Sequence, residues 1–235
     1  MPGLTETTHS LDNTINSISE LELLLKSENR KLQAKDIKCV EKICMEMANK
    51  VDFVTKSNKI QIDEVGNMMK RIKLYASDRI EIRVHIFNKK DEDVIHQHGQ
   101  FFITTCLVGG YSHSLYALQN SDSEYFVFER LENGVFKKAQ VEKGTWIKLC
   151  SQPFEAGQTL FISPHAFHTV EIINYPIITF VVRDTEDTVD NVKFIDTKNE
   201  LKYIPLIRPI SDKAEVDAIL AVFKEALLNF AKYSY

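Results

Sequence analysis

His96-Gln97-His98-Gly99-Gln100-Phe101-Phe102-Ile103-Thr104-Thr105-Cys106-Leu107-Val108-Gly109-Gly110 is the stretch on which the fold turns. It opens with two histidines one residue apart, continues as an apolar run and stops at two glycines. Side chains at i and i+2 of a strand point to the same face, so His96 and His98 present two imidazoles to one point. A third partner stands downstream at His168, within Ser163-Pro164-His165-Ala166-Phe167-His168-Thr169-Val170. Two histidines from one strand and one from a distant strand make a three-nitrogen site for a divalent transition metal. Burying two such rings side by side without an ion would be costly, because both lose water and they repel when protonated.

Outward from that stretch the apolar pattern has period two. In Arg79-Ile80-Glu81-Ile82-Arg83-Val84-His85-Ile86-Phe87 apolar and polar residues alternate, which predicts a strand with two unlike faces. Further strands are predicted over 100–108, 111–118, 124–130, 135–141, 145–150, 158–162, 167–173 and 177–183, with Asn133-Gly134 as a hairpin turn. Many short strands at such spacing read as an antiparallel sandwich or barrel. The flanks read differently. From Ser17 to about Met47 apolar residues recur at helical steps, among them Leu21, Leu25, Val40, Ile43, Cys44 and Met47, and a further short helix is predicted over 62–72. After Pro209 the stripe Val216, Ile219, Leu220, Phe223, Ala226, Leu227 and Phe230 predicts a C-terminal helix, with Ser211 as its N-cap. The expected layout is a flexible tail over 1–16, a helical segment over 17–75, a β-barrel with the metal site over 76–205, and a C-terminal helix over 206–235.

Composition bounds the function. The chain has 235 residues, 44% of them hydrophobic and 26% charged, which suits a globular domain with a sizeable core. A formal charge of −4 speaks against nucleic-acid or anionic-membrane partners. No apolar run is long enough for a transmembrane helix, and the N-terminus lacks the regions of a signal peptide, so a cytoplasmic protein is expected. Cys39, Cys44, Cys106 and Cys150 show no CxxC spacing and are expected to be reduced. Cys106 and Cys150 fall in apolar strands, where a thiol is inert. No GxSxG elbow or phosphate-binding glycine loop is present.

These elements resemble the metal-binding cupin superfamily, whose first motif carries HxH and a downstream glycine, here His96, His98 and Gly109 or Gly110. Its second motif has a glycine, a proline and the third histidine, here Gly157, Pro164 and His168, with one residue fewer between proline and histidine. The resemblance spans roughly residues 78–184 and implies a double-stranded β-helix, or jelly-roll barrel. Many cupins add a ligand glutamate four or five residues after the second histidine; this chain has Phe102 and Ile103 there. A three-histidine site is similar to that of the thiol-dioxygenase branch, such as cysteine dioxygenase. That branch carries an arginine about twenty-five residues before HxH that holds the substrate carboxylate, and Arg71 stands at that offset. Where the branch has a catalytic histidine and tyrosine the chain reads Val181 and Arg183, and its cross-linking cysteine aligns with Ile103, which speaks against cysteine itself as substrate.

The resemblance implies a mononuclear non-haem iron(II) dioxygenase acting with O2 on a small carboxylate- or thiol-bearing substrate. Arg71, Arg83 and Arg183 are the candidates to fix an anion, since a guanidinium fork suits a carboxylate. His85, Tyr111 and His113 are further candidates to border the cavity, with His165 unassigned. Two other readings stay open: a zinc, manganese or nickel isomerase or lyase, and a non-catalytic binding module using the flanking helices. A homodimer is compatible with each.

Overall fold

The computed structural model describes residues 15–56, 60–65, 69–87, 94–130, 136–186, 192–196 and 207–233. His9, most of the N-terminal tail and the Asn133-Gly134 turn lie outside them. Helices α1 (Asn16–Ser27), α2 (Ile37–Asn49) and α3 (Val51–Thr55) come first, with a 3-10 turn at Ala34–Asp36. Ten strands follow: β1 (Gln61–Val65), β2 (Met69–Ala76), β3 (Ile80–Phe87), β4 (Ile95–His96), β5 (Phe102–Arg130), β6 (Phe136–Glu155), β7 (Thr159–Ile162), β8 (Phe167–Asp184), β9 (Lys193–Asp196) and β10 (Ile207–Pro209). Helix α4 (Lys213–Tyr233) closes the chain.

The expected mainly β architecture, with N-terminal helices and a C-terminal helix, is present. All strand pairings are antiparallel, and they close on themselves: β8 pairs with β4, β4 with β9, β9 with β5, and β5 back with β8. On the other side of β8 the sheet continues through β3, β2, β1 and β10. That extension is where the helices dock. In β3 the apolar set Ile80, Ile82, Val84 and Ile86 faces outward into a core shared with Leu21 and Leu25 of α1, Val40, Ile43 and Met47 of α2, and Phe223 and Leu227 of α4. The alternate set, Glu81, Arg83 and His85, therefore faces the barrel interior.

Three expectations are corrected. Residues 62–65 and 69–72 lie in β1 and β2 rather than a helix, and 66–68 lie outside the described residues, so the sheet begins at Gln61 instead of 76. Val65, Met68, Met69 and Ile72 recur at helical spacing in the sequence, but Ile62, Ile72 and Leu74 bury onto the helices at strand spacing. Second, the predicted strands of the 100–130, 135–150 and 167–183 regions merge into β5, β6 and β8. Gly109, with φ of +81°, kinks β5 without ending its pairing, and register shifts follow at Leu115/Tyr116 and Gln119/Glu124. A Cβ at Gly109 would lie 2.1 Å from the Pro176 carbonyl oxygen, so this close crossing of β5 and β8 requires glycine. Third, Asp212 rather than Ser211 caps α4: its Oδ1 accepts the Glu215 amide at 2.9 Å. Asp212→Ala should cost about 1 kcal/mol, read as a lower urea midpoint at unchanged m. Among the described residues no helix is long and apolar enough to cross a membrane.

Candidate metal centre

His96 lies on β4, pairs directly with His168 of β8, and is flanked across β9 by Phe194. Antiparallel partners stand close enough for their side chains to meet, which brings the HxH motif to a histidine far along the chain. The Phe194 ring stacks on His96 at 5.4 Å and 8° and braces it. Because β4 is only Ile95–His96, His98 reaches the site from the segment just after the strand. The outcome is nevertheless convergence: ring nitrogens of His96, His98 and His168 lie within 4.8 Å of one another, with Nε2 of His98 and Nε2 of His168 3.1 Å apart. An ion about 2.0–2.1 Å from each nitrogen would space its ligands at roughly 3 Å.

Two backbone carbonyls orient the rings. His96 Nδ1 donates to Val94 O at 2.8 Å and His168 Nδ1 to Ala166 O at 3.0 Å. That places the proton on Nδ1 and leaves Nε2 as the free lone pair, the arrangement a ligating histidine needs. Burial holds His98 and His168 well below the ordinary imidazole value, and the neighbouring rings add to the shift. Aimed and crowded, the three histidines fit a divalent cation.

The position where a glutamate would stand is apolar. Phe102 meets His98 edge-on at 4.5 Å, and Ile103 is buried against the helices. Among the described residues no carboxylate joins the three histidines.

The inner wall of β2, β3 and the end of β8 carries the arginines. Glu81 is their hub: it accepts from Arg83 Nε at 2.6 Å and Nη2 at 2.7 Å, and from Arg183 Nη2 at 2.6 Å. Arg183 Nη1 also donates to Gln100 Oε1 at 2.6 Å. Arg183 is thus paired with Glu81, not with its sequence neighbours Asp184 or Glu186, which instead meet Leu32 and Lys31. Desolvation tends to raise the Glu81 carboxyl, but the hydrogen bonds and charges of Arg83 and Arg183 outweigh it and leave it below the usual value. Arg71 contacts Asp63 at 2.6 Å through Nη2, while its Nε is buried without a partner among the described residues. It sits in register with His85.

Not every candidate comes to the histidines. Tyr111 packs on Phe154 at 5.4 Å in an apolar cluster with Cys106, Ile172 and Ile177, and burial raises its phenol. His165 is exposed on its turn. Cys106 is buried, its thiol pushed up to about 12 by desolvation, whereas Cys150 is exposed and departs from the inert, buried expectation because its stretch of β6 faces out. The sequence reading missed Glu81 as an ion-pair hub, Gln100 and Phe194. Alternation in β3 placed Glu81 on the right face, but its two arginine partners depend on the β3–β8 register.

These buried imidazoles make the fold acid-sensitive. His85 is pushed down to about 3, first by desolvation and then by Arg83 and Arg71, and His113 to about 4. A histidine held neutral in the folded chain but titrating near 6.5 when unfolded lets the unfolded state bind more protons below that pH. The stabilising difference is complete above about 6.5 and is lost progressively as pH falls towards 3. Urea midpoints should decline steadily below pH 6.5; a midpoint flat down to pH 4.5 would contradict the burial.

No protein-family model matches the chain, and no curated protein matches it. Among solved structures the chain is similar to an RmlC-like cupin from Shewanella frigidimarina, with 19% identity over 54% of this chain and 84% of that one, at a TM-score of 0.30. KdgF from a Halomonas species matches at 10% identity over 52% and 85%, TM-score 0.34. The Mn(II)-containing oxalate decarboxylase of Bacillus subtilis matches at 10% identity over 72% of this chain and 37% of that one, TM-score 0.33.

Proposed function

We propose that this protein is a cupin-type, metal-dependent enzyme, and that its activity is that of a mononuclear iron(II) dioxygenase on a small carboxylate- or thiol-bearing substrate. The observation that carries the reading is the convergence of His96, His98 and His168 with their Nδ1 protons tied to backbone carbonyls or ring neighbours kept neutral by burial. Three neutral ligands leave the charge of a divalent ion uncompensated inside the barrel, which favours an anionic substrate group beside it. His96, His98 and His168 would hold the ion, and iron(II) in such a donor set would supply the redox chemistry by which O2 is activated. Zinc, manganese or nickel would fit the same nitrogens, and with them the protein would act as an isomerase or lyase.

The protein's own residues do the positioning. Arg83 and Arg183 share Glu81, whereas Arg71 meets Asp63 through Nη2 and keeps its Nε buried and unpartnered among the described residues, so that Nε is the guanidinium donor to take a substrate carboxylate. Phe102 and Phe194 crowd water from two sides of the imidazoles. The test is oxygen uptake by iron-loaded protein against a panel of small thiols and carboxylates. Stoichiometric O2 consumption with turnover is expected. Turnover that proceeds equally under anaerobic conditions would replace the dioxygenase with the isomerase or lyase.

A further inference from the structure

We propose that His85 and His113 are the pair of side chains that contact the substrate, hydrogen-bonding a small polar ligand from opposite walls beside the three-histidine cluster. Each carries an Nε2 that is buried and has no partner among the described residues. Buried polar atoms are nearly always paired in folded proteins, so two unpaired imidazole nitrogens in one barrel call for a ligand. Both point inward. His85 alternates with Val84 and Ile86, which pack on the helices, and it stands opposite Arg71 in the β2–β3 register. His113 shares its face of β5 with Tyr111, whose ring lies in the interior apolar cluster, and it stacks on His168 at 4.9 Å and 30°. The two therefore flank the metal-directed rings, one from the β3 wall and one from the β5 wall, where the position occupied by glutamate in many cupins is filled by Phe102. The ligand they fit is a small molecule with two acceptor atoms, at least one of them on a carboxylate or similar group that also lies near Arg71. Neither imidazole belongs to the set that converges on the ion.

The inference rests on the metal-site reading but is tested separately from it. The probe is formate, titrated into cobalt(II)-loaded protein and followed by the visible cobalt spectrum. The variants are His85→Phe and His113→Phe, which remove the polar nitrogen and keep a ring. At least a ten-fold rise in apparent Kd for formate is expected in each, with cobalt content per chain unchanged and Tm equal to or above that of the unaltered protein, because an unsatisfied buried polar atom has been removed. An unchanged Kd, a fall in cobalt content or a Tm lowered by several degrees would overturn the assignment, the last two showing a ligand or a structural role instead. If the unaltered protein takes up no cobalt, the metal reading fails by itself. Formate titration of the metal-free protein, with the His85 and His113 imidazole nitrogens observed by NMR, then decides the pair: shifts at both sustain it and none at either overturns it.

Discussion

Replacing His96, His98 or His168 by alanine is expected to abolish stoichiometric binding of a divalent metal and all metal-dependent turnover. Removing an outer partner of a ligating histidine typically weakens a metal site by about 10- to 100-fold, so removing one of only three ligands should exceed that. The three variants should behave alike, because the three nitrogens lie within 4.8 Å of one another and among the described residues no carboxylate joins them to substitute for one. They should also fold, since each deletion relieves a crowded set of lone pairs that includes the 3.1 Å approach of His98 to His168. His165→Ala is the matched control: it lies three residues from His168 but is exposed on the turn, and it should leave metal content untouched. Elemental analysis of purified variants reads the result directly. Metal content unchanged in His96→Ala and His168→Ala would overturn the site.

The three-histidine cluster was legible in the sequence because it depends on local order. The HxH triplet needs only one strand end, and the third histidine announced itself by the alternating stretch that follows it. Even so, the reason for convergence differs from the one the sequence suggests. His98 arrives from the irregular segment after a two-residue strand rather than from a continuous strand face, and the pairing of His96 with His168 closes the set. The strand boundaries were less legible for a physical reason. Gly109 and the Asn174-Tyr175-Pro176 stretch carry turn residues, yet here they bend long strands that stay paired, and only the crossing partner distinguishes a bulge from a turn. The 62–72 region misled because a short apolar run fits either period until its partners are known. Charge partnerships were the least legible of all. Nothing local in Glu81-Ile82-Arg83 foretells that Arg183 will join them, since that contact spans the β3–β8 pairing.

That contact gives the second large effect. Glu81→Ala should destabilise the protein by about 3 kcal/mol, because it leaves two guanidinium groups facing each other with their shared counter-charge gone. The Glu81 side chain is 9% exposed, and Arg83 and Arg183 are 13% and 20% exposed, so water screens the loss little. Burial and the nearby Arg183 charge already draw the Arg83 guanidinium down to about 10; without Glu81 the two guanidinium groups lose the carboxylate they share. Glu81→Gln should fall between the two, keeping shape and some acceptor capacity but no charge. The effect should reach the metal centre as well. Arg183 holds Gln100, two residues beyond His98, so releasing Arg183 loosens the segment that delivers the second histidine and metal affinity should fall with stability. The pH dependence has a definite sign. The Glu81 carboxyl is held below its unfolded value of roughly 4.3, so its contribution is fully present above that pH and is lost as pH falls through the lower folded value. The difference in unfolding free energy between the unaltered protein and Glu81→Ala should therefore be flat from pH 8 to 5 and shrink below about 4. Urea titrations at pH 7 and pH 4 measure both ends. A neutral-pH difference under about 1 kcal/mol would show that Glu81 is a bystander to the arginines, while a difference that grows on acidification would reverse the assignment of which group carries the charge.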